Sequence, residues 1–104
     1  EIAEGATSNL FFVKGGTLYT PEVSSGLLPG ILRRWVLETG KKEGLPVVER
    51  RIRPEEVKTF EECFVTNSLL GIMPVSALED VKFQSRNITE GWMERYEKSV
   101  VQHS

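Results

Sequence analysis

The chain has 104 residues, of which 39% are hydrophobic and 27% are charged, and its formal net charge is −2. This size and composition predict one globular domain with its own core, and the lack of a basic surplus argues against a nucleic-acid or anionic-membrane partner. The sequence contains no apolar run long enough for a spanning helix and no secretory signal pattern. Because Cys63 is the single cysteine, we expect no intramolecular disulfide, no Cys-rich zinc site and a reducing, cytoplasmic setting, and no residue is predicted as a metal ligand.

Hydrophobic periodicity, interrupted by Gly and Pro, divides the chain into strands and helices. Two strands, a helix, a strand, a short helix, two strands and a final helix follow one another, and this order predicts a mixed α/β fold. The predicted elements are a hairpin over 9–20, a loop over 21–29, a helix over 30–39, a strand over 46–52, a short helix beginning at 54–57, a strand over 62–66, an extended segment over 71–78 and a helix over 89–102.

Individual residues predict the ends and faces of these elements. Gly15 and Gly16 permit a two-residue hairpin turn, and Gly40 can end the first long helix. Thr89 is the predicted N-cap of the last helix. The predicted buried face of that helix consists of Trp92, Tyr96 and Val100.

Three stretches interrupt the regular patterning and are rich in groups that bind anions, namely 4–9, 27–32 and 66–71. A helix that opens at Gly30 would direct the N–H groups of Ile31 and Leu32 at a ligand, which favours phosphate. The hydroxyl- and amide-rich turn of the third stretch would suit an anion through successive N–H groups. Taken singly, each stretch has a simpler interpretation: a solvated acid at Glu4, an ordinary helix start and an ordinary turn.

Two other features of the sequence are weaker candidates for a functional site. Arg33 and Arg34 would either face an anion or lie in solvent, and we favour solvent. Cys63 lies in an apolar strand and is predicted to be an inert core residue.

The three stretches together, in this order and spacing, resemble a known family. The segments EGATSNLFFVKGGTLYTP, GLLPGILR and FVTNSLLGIMPV are similar to the C-terminal domain of the class IV aminotransferase superfamily, the pyridoxal-phosphate enzymes of fold type IV. The resemblance extends from about Glu4 to Val75. It implies a mixed sheet or pseudo-barrel with flanking helices, pyridoxal 5′-phosphate as cofactor, a small-molecule substrate and a homodimer.

The resemblance also assigns roles to residues of this chain. Glu4 matches the acid that keeps the pyridine nitrogen of the cofactor protonated, so that the ring can withdraw electrons from a carbanion. Leu28 matches an apolar side chain packed on the ring, and Leu32 stands where many relatives carry a Thr hydroxyl. The positions that match phosphate contacts are Gly30, Ile31, Leu32 and Ser68, and those whose N–H groups match contacts to the substrate carboxylate are Ser68 and Leu69.

The family's Schiff-base lysine lies well upstream of the glutamate, and no lysine precedes Glu4 in this chain. We therefore expect residues 1–104 to be a single C-terminal cofactor-binding domain. The catalytic lysine and the N-terminal domain are expected in a part of the protein outside this chain. The chain by itself is expected to be inactive.

Within the family, Asn67-Ser68-Leu69 and the later segment DVKFQSRNIT resemble the aminodeoxychorismate lyases. Gly71 stands where transaminating relatives carry Glu. The resemblance therefore favours 4-amino-4-deoxychorismate lyase, which releases pyruvate and 4-aminobenzoate for folate synthesis. Two alternatives stay open: an aminotransferase for branched-chain or D-amino acids, and a non-catalytic domain that kept the fold and lost the cofactor.

Overall fold

A computed structural model describes residues 8–22 and 30–102, with side chains to residue 100. Within these ranges the strands are β1 (Ser8–Lys14), β2 (Thr17–Thr20), β3 (Val47–Glu49), β4 (Glu62–Asn67), β5 (Gly71–Pro74), β6 (Ala77–Leu78) and β7 (Val81–Lys82). The helices are α1 (Ile31–Glu43), a 3₁₀ helix (Pro54–Thr59) and α2 (Asn87–Gln102). The predicted mixed α/β class is confirmed.

Five strands form one sheet in the order β3-β2-β1-β4-β5, and β6 pairs with β7 in a separate hairpin. All pairs in the larger sheet are antiparallel except β2 with β3. The predicted β1–β2 hairpin is confirmed, and its turn residues Gly15 and Gly16 have φ values of 59° and 81°. Positive φ at both residues is what a two-residue turn of this kind requires.

One face of the sheet is covered by α1 and α2. Alternate strand residues point to this face, where the rings of Phe11 and Phe64 stack with their centroids 5.1 Å apart. Trp35 of α1 contacts Trp92 of α2 edge to face at 5.8 Å, which joins the two helices above the sheet. The buried residues of this core are Phe11, Val13, Leu18, Leu32, Val36, Phe64, Ile72 and Trp92.

The opposite face carries a smaller core under the 3₁₀ helix and the β6–β7 hairpin. Phe12 stacks on Phe60 at 4.9 Å, and the buried members of this cluster are Phe12, Phe60, Cys63 and Phe83. Burial raises the pKa of the Cys63 thiol to about 12, so the thiol is protonated at neutral pH. The predicted core position of Cys63 is confirmed.

Helix α1 does not end at Gly40 as predicted, but continues to a C-cap at Gly44. Gly44 has a φ of 74°, a conformation that glycine adopts without strain. Gly40 lies inside the helix, on the side that faces β3. A Cβ at this position would be 2.5 Å from Cγ2 of Val47. The missing side chain thus permits the close approach of α1 and β3.

Two other predicted strands had wrong bounds, and one strand was missed. The strand over 46–52 is limited to β3, and the extended segment over 71–78 is divided between β5 and β6. Strand β7 was not predicted, because the turn before it has no glycine and is formed by Glu79 with a φ of 54°.

The predicted start of α2 was also wrong. The helix begins at Asn87, and the Thr89 hydroxyl does not cap it but donates to Oε1 of Glu62 at 2.8 Å. Trp92 and Tyr96 pack as predicted, whereas Val100 is 49% exposed. In the part of the chain that the structure describes, neither helix is long and apolar enough to cross a membrane.

Candidate active site

The N-terminus of α1 has backbone donors without a helical partner. The preceding residue, Gly30, is extended, with φ −68° and ψ 145°, and has no side chain that could cap the helix. The first helical hydrogen bond runs from the Arg34 N–H to the Gly30 carbonyl at 3.1 Å, so the N–H groups of Ile31, Leu32 and Arg33 precede it. The first turn contains no acid, and the positive end of the helix dipole therefore favours an anion.

The same helix end shares a cavity with the turn after β4. This cavity has a volume of about 200 Å³ and is lined by Ile31, Leu32, Trp35, Ser68, Tyr96 and Ser99. Residues of the second and third predicted stretches, which are more than thirty positions apart in the sequence, thus meet at one place. None of the described residues that line it is acidic.

The start of β1 lies next to this turn. The Asn67 amide donates from Nδ2 to Oγ of Ser8 at 2.9 Å. Its Oδ1 accepts hydrogen bonds from the N–H groups of Leu69 at 2.8 Å and Leu70 at 3.1 Å. Asn67 therefore stabilises the turn after β4 and connects it to Ser8, which belongs to the predicted stretch 4–9.

The residues predicted as cofactor or substrate contacts differ in their surroundings. The Leu32 side chain is 7% exposed and belongs to the core, so only its backbone N–H faces the helix end. Ile31 and Leu69 expose 80% and 69% of their surface, and Ser68 is also exposed. Glu4 and Leu28 lie outside the described residues.

Two buried polar atoms where β1 pairs with the end of β4 have no hydrogen-bond partner among the described residues. They are Oδ1 of Asn9 and Oγ1 of Thr66. The two residues are partners across β1 and β4, and Thr66 directly precedes Asn67 in β4. Buried polar atoms are normally paired, so this end of the sheet has hydrogen-bonding capacity for a polar ligand or water.

Arg33 is a residue whose environment the sequence prediction missed. Instead of lying in solvent, its side chain is 4% exposed and donates from Nη2 to Oε2 of Glu49 at 2.6 Å. Arg33, Val36 and Gly40 share the buried stripe of α1, and this spacing was the available signal. The solvent-exposed position predicted for Arg34 is confirmed.

Two larger cavities in the described residues suit an anion less well. One, of about 450 Å³, lies on the opposite face of the sheet and has Glu79 and Asp80 at its edge. The other, of about 530 Å³, lies between β5 and α2 and is lined in part by Glu90, Glu94 and Glu97. Carboxylates repel phosphate, so the cavity at the start of α1 is the best candidate for a phosphate site.

An α/β domain whose helix N-terminus and strand-end turn share a cavity, with no acid among its described lining residues, has a place that suits an anion. Comparison with known proteins agrees with this description. Residues 1–78 match the family model described as amino-transferase class IV. The chain belongs to this family.

Individual relatives carry two different names. Aminodeoxychorismate lyase of Bacillus subtilis is 37% identical over 95% of this chain and 34% of its own length. A Thermotoga maritima protein named "Probable branched-chain-amino-acid aminotransferase" is 36% identical over 97% of this chain and 38% of its own length. The chain therefore spans about a third of the length of the curated relatives it matches.

A solved structure shows the same fold with a named cofactor form. The branched-chain amino acid aminotransferase of Thermobaculum terrenum, described in its pyridoxal-phosphate holo form, superposes with a TM-score of 0.83 and is 28% identical. The match covers 93% of this chain and 33% of that protein. The predicted fold of the C-terminal region of this family is confirmed.

Proposed function

We propose that this chain is the cofactor-binding C-terminal domain of a pyridoxal-phosphate enzyme. The observation that carries the proposal is the cavity shared by the first turn of α1 and Ser68. Its donors are two kinds of neutral group, backbone N–H groups and a hydroxyl, which suit a phosphate dianion, and no acid is among the described residues that line the cavity. The residues present therefore fit the phosphate of this cofactor.

In this proposal the backbone N–H groups of Ile31 and Leu32 and the Ser68 hydroxyl bind the phosphate. Gly30 leaves the helix end open, and Leu28 packs on the ring. Glu4 accepts a hydrogen bond from the protonated pyridine nitrogen and so holds a proton at that atom. When bound, the cofactor supplies an electron sink for a carbanion formed next to it.

The turn after β4 also has a proposed part in substrate binding. The Ser68 N–H is proposed to donate to a substrate carboxylate, together with that of Leu69. Because the Leu69 N–H already donates to Oδ1 of Asn67, the substrate oxygen would share this donor with the amide or displace it. The exposed side chain of Leu69 adds an apolar edge next to that position.

As the activity of the whole protein we propose 4-amino-4-deoxychorismate lyase, which yields 4-aminobenzoate and pyruvate for folate synthesis in the cytoplasm. The B. subtilis relative of that name and the run Asn67-Ser68-Leu69 support this choice. Gly71 supports it as well, because the resemblance places it where transaminating relatives carry Glu. The catalytic lysine is proposed to come from an N-terminal domain outside this chain, in a homodimeric enzyme.

The second candidate is an aminotransferase that acts on branched-chain or D-amino acids. The name of the T. maritima relative and that of the T. terrenum structure favour the branched-chain activity. Both candidates use the same proposed phosphate site, so they differ only in the substrate and the products.

Product analysis of the intact polypeptide that carries this chain tests the two activities. We expect 4-aminobenzoate and pyruvate from 4-amino-4-deoxychorismate. Formation of pyridoxamine phosphate from leucine or D-alanine, with no 4-aminobenzoate, would instead establish the aminotransferase. A protein that gives neither product and binds no pyridoxal phosphate would be the non-catalytic alternative.

A variant of Glu4 tests the proposed ring contact separately. Glu4→Ala should retain bound cofactor but lose at least about a hundredfold in kcat, the usual contribution of a positioned acid or base. Glu38→Ala, at an exposed position of α1, is the matched control and should keep full activity. Undiminished turnover of Glu4→Ala would remove Glu4 from the proposed site.

A further inference from the structure

The buried guanidinium of Arg33 connects the first turn of α1 to two other parts of the fold. Its Nη2 donates to Oε2 of Glu49 in β3 at 2.6 Å and to the Pro21 carbonyl, just after β2, at 3.1 Å. Glu49 is half exposed, so the pair is buried on the arginine side only. We infer that Arg33 is a positioning residue that holds the phosphate-binding end of α1 against the sheet, an inference that rests on the proposed function.

The contacts between α1 and β3 show why this end of the helix depends on Arg33. At the C-terminal half of α1, Gly40 lies directly against Val47. At the N-terminal half, Arg33 reaches Glu49. Strand β3 thus runs along the helix in the opposite direction, with close packing at one end and the ion pair at the other.

The position of Arg33 in the sequence makes its effect local. It follows Ile31 and Leu32 directly, and its own backbone belongs to the turn whose N–H groups are proposed to bind phosphate. A shift of this turn would misdirect those N–H groups, whose hydrogen bonds depend strongly on angle. The contacts proposed for the cofactor ring come from Glu4 and Leu28, in other segments of the chain.

Arginine is better suited than lysine to this place. Guanidinium is more weakly hydrated than ammonium, so it costs less to bury, and its planar donors have fixed directions. Nε of Arg33 has no partner among the described residues, and the hydrogen bonds that the side chain makes to them both come from Nη2. The Glu49 and Pro21 contacts are therefore the ones whose removal should release the turn.

The phosphate group allows this role to be measured apart from general stability. The intact polypeptide that carries this chain is titrated with pyridoxal phosphate and with pyridoxal, which has the ring but no phosphate. The ratio of the two dissociation constants reports the phosphate contribution. The variants are Arg33→Met and Glu49→Gln, and Arg34→Met is the matched control at an exposed arginine of the same turn.

We expect Arg33→Met to weaken pyridoxal phosphate binding by about tenfold or more, as for loss of a charge-assisted contact, and to leave pyridoxal binding unchanged. Glu49→Gln keeps an acceptor at a half-exposed site and should not impair folding. Its affinity for pyridoxal phosphate is expected to fall by about fivefold or less. Arg33→Lys should recover part of the loss. Arg34→Met should behave as wild type.

Amide hydrogen exchange without cofactor gives a second readout. The Arg34 N–H, which bonds to the Gly30 carbonyl at 3.1 Å, should lose protection in Arg33→Met. The Leu45 N–H, bonded to Gly40 at 2.7 Å at the other end of the helix, should keep it. Uniform loss along the helix would contradict the positioning role and indicate a general loss of stability.

Failure of the inference and failure of the proposed function give different results. If wild type prefers pyridoxal phosphate over pyridoxal and Arg33→Met keeps the same preference, Arg33 does not position the phosphate site. If wild type binds the two compounds equally, the proposed phosphate site itself is wrong, and the inference is overturned with it.

Discussion

The two long helices lie on the same face of the sheet but differ at their N-termini. Helix α2 begins over a buried carboxylate, because Glu62 in β4 accepts hydrogen bonds from the Ile88 and Thr89 N–H groups at 3.0 Å and 2.7 Å. The Ser85 and Thr89 hydroxyls complete its contacts. Helix α1 begins directly after Gly30, which has no side chain that could accept a hydrogen bond.

This difference separates a structural helix end from one that is available to a ligand. Both ends have N–H groups without a partner inside the helix and a positive dipole, which favour a negative charge. In α2 the protein supplies that charge itself through Glu62, which is 2% exposed. In α1 no residue of the first turn supplies it, and the end faces a cavity instead.

The largest expected effect is the loss of the internal cap. Glu62→Ala should lower the free energy of unfolding by about 3 kcal/mol, because it leaves buried donors of α2 without an acceptor. Thermal and urea unfolding of the wild type and the variant measure the change. Glu61→Ala is the matched control, since Glu61 is the exposed neighbour in sequence.

A loss equal to that of the control would mean that Glu62 does not support α2, and the contrast between the two helix ends would disappear. Glu62→Gln should fall between the two variants, because its amide oxygen still accepts hydrogen bonds but carries no charge.

Acid should weaken the same contact and lower the stability of the wild type by a smaller amount. Burial by itself raises the pKa of Glu62, but the hydrogen bonds from Ile88, Thr89 and Ser85 outweigh it, so the pKa lies below the ordinary glutamate value of 4.5. A carboxyl with a lowered folded pKa stabilises the protein above the unfolded pKa and loses this effect as the pH falls through the folded value. Stability of the wild type should therefore decline below about pH 4.5, and Glu62→Gln should decline less.

Salt distinguishes this carboxylate from a second one. The hydrogen bond with Arg50 lowers the pKa of Glu56 to about 2, and both side chains of that pair are partly exposed. High salt should screen the Arg50–Glu56 pair but not the neutral donors around Glu62. If 1 M salt, where the Debye length is about 3 Å, abolished the difference between wild type and Glu62→Gln, the assignment to Glu62 would be wrong.

Tyr96 of α2, which lines the cavity at the start of α1, packs against Gly71 of β5. A substitution at Gly71 is expected to cost less stability than the loss of Glu62. A Cβ at Gly71 would lie 3.0 Å from Cε2 of Tyr96, and Gly71 has a φ of 87°. Gly71→Ala should therefore cost about 2 kcal/mol in stability, from backbone strain together with displacement of the ring. Gly15→Ala is the control, because Gly15 has a φ of 59° but no atom within 4 Å of the added Cβ.

Both variants place an Ala at a positive φ, and Gly71→Ala adds the contact with Tyr96 and a φ farther from the left-handed helical value, so it should lose more stability. Denaturant unfolding measures this difference, and equal losses would mean that α2 can move away from β5 without cost. In that case the wall of the cavity at Tyr96 would not be rigid.

The contrast between the helix ends also explains what could be predicted from the sequence. Pro29-Gly30 and Gly15-Gly16 are local signals, and they correctly indicated the start of α1 and the first hairpin. The cap of α2 comes from Glu62, 26 positions before Ile88, so a local pattern favoured Thr89 instead. Arg33 was misassigned for a similar reason, because its partner in β3 is 16 positions away.

The candidate site was predictable to the extent that it consists of local motifs. The turn 66–71 and the start of α1 each have a recognisable composition, and the family resemblance assigned both to one phosphate site. The sequence did not predict the hydrogen bonds of Asn67 or the cavity wall from α2. Both depend on how distant elements pack.

A side-chain cap added to α1 would remove the difference between the N-termini of the two helices. In Gly30→Asp the carboxylate would accept hydrogen bonds from the first turn, and the extended backbone of Gly30 is compatible with any residue. Gly30 is buried, so the added side chain has a packing cost, and the effect on stability is measured against Gly30→Asn, which has nearly the same cost. Affinity of the intact polypeptide for pyridoxal phosphate should fall by about tenfold or more, because the new charge repels the phosphate.

Gly30→Asn separates charge from size in this experiment. Asparagine occupies nearly the same volume and caps a helix about as well, but it is neutral. Titration with pyridoxal phosphate should therefore show a much larger loss for Asp than for Asn. If Asp and Asn bound the cofactor equally well, charge at this helix end would be irrelevant to binding, and the N-terminus of α1 could not be the phosphate site.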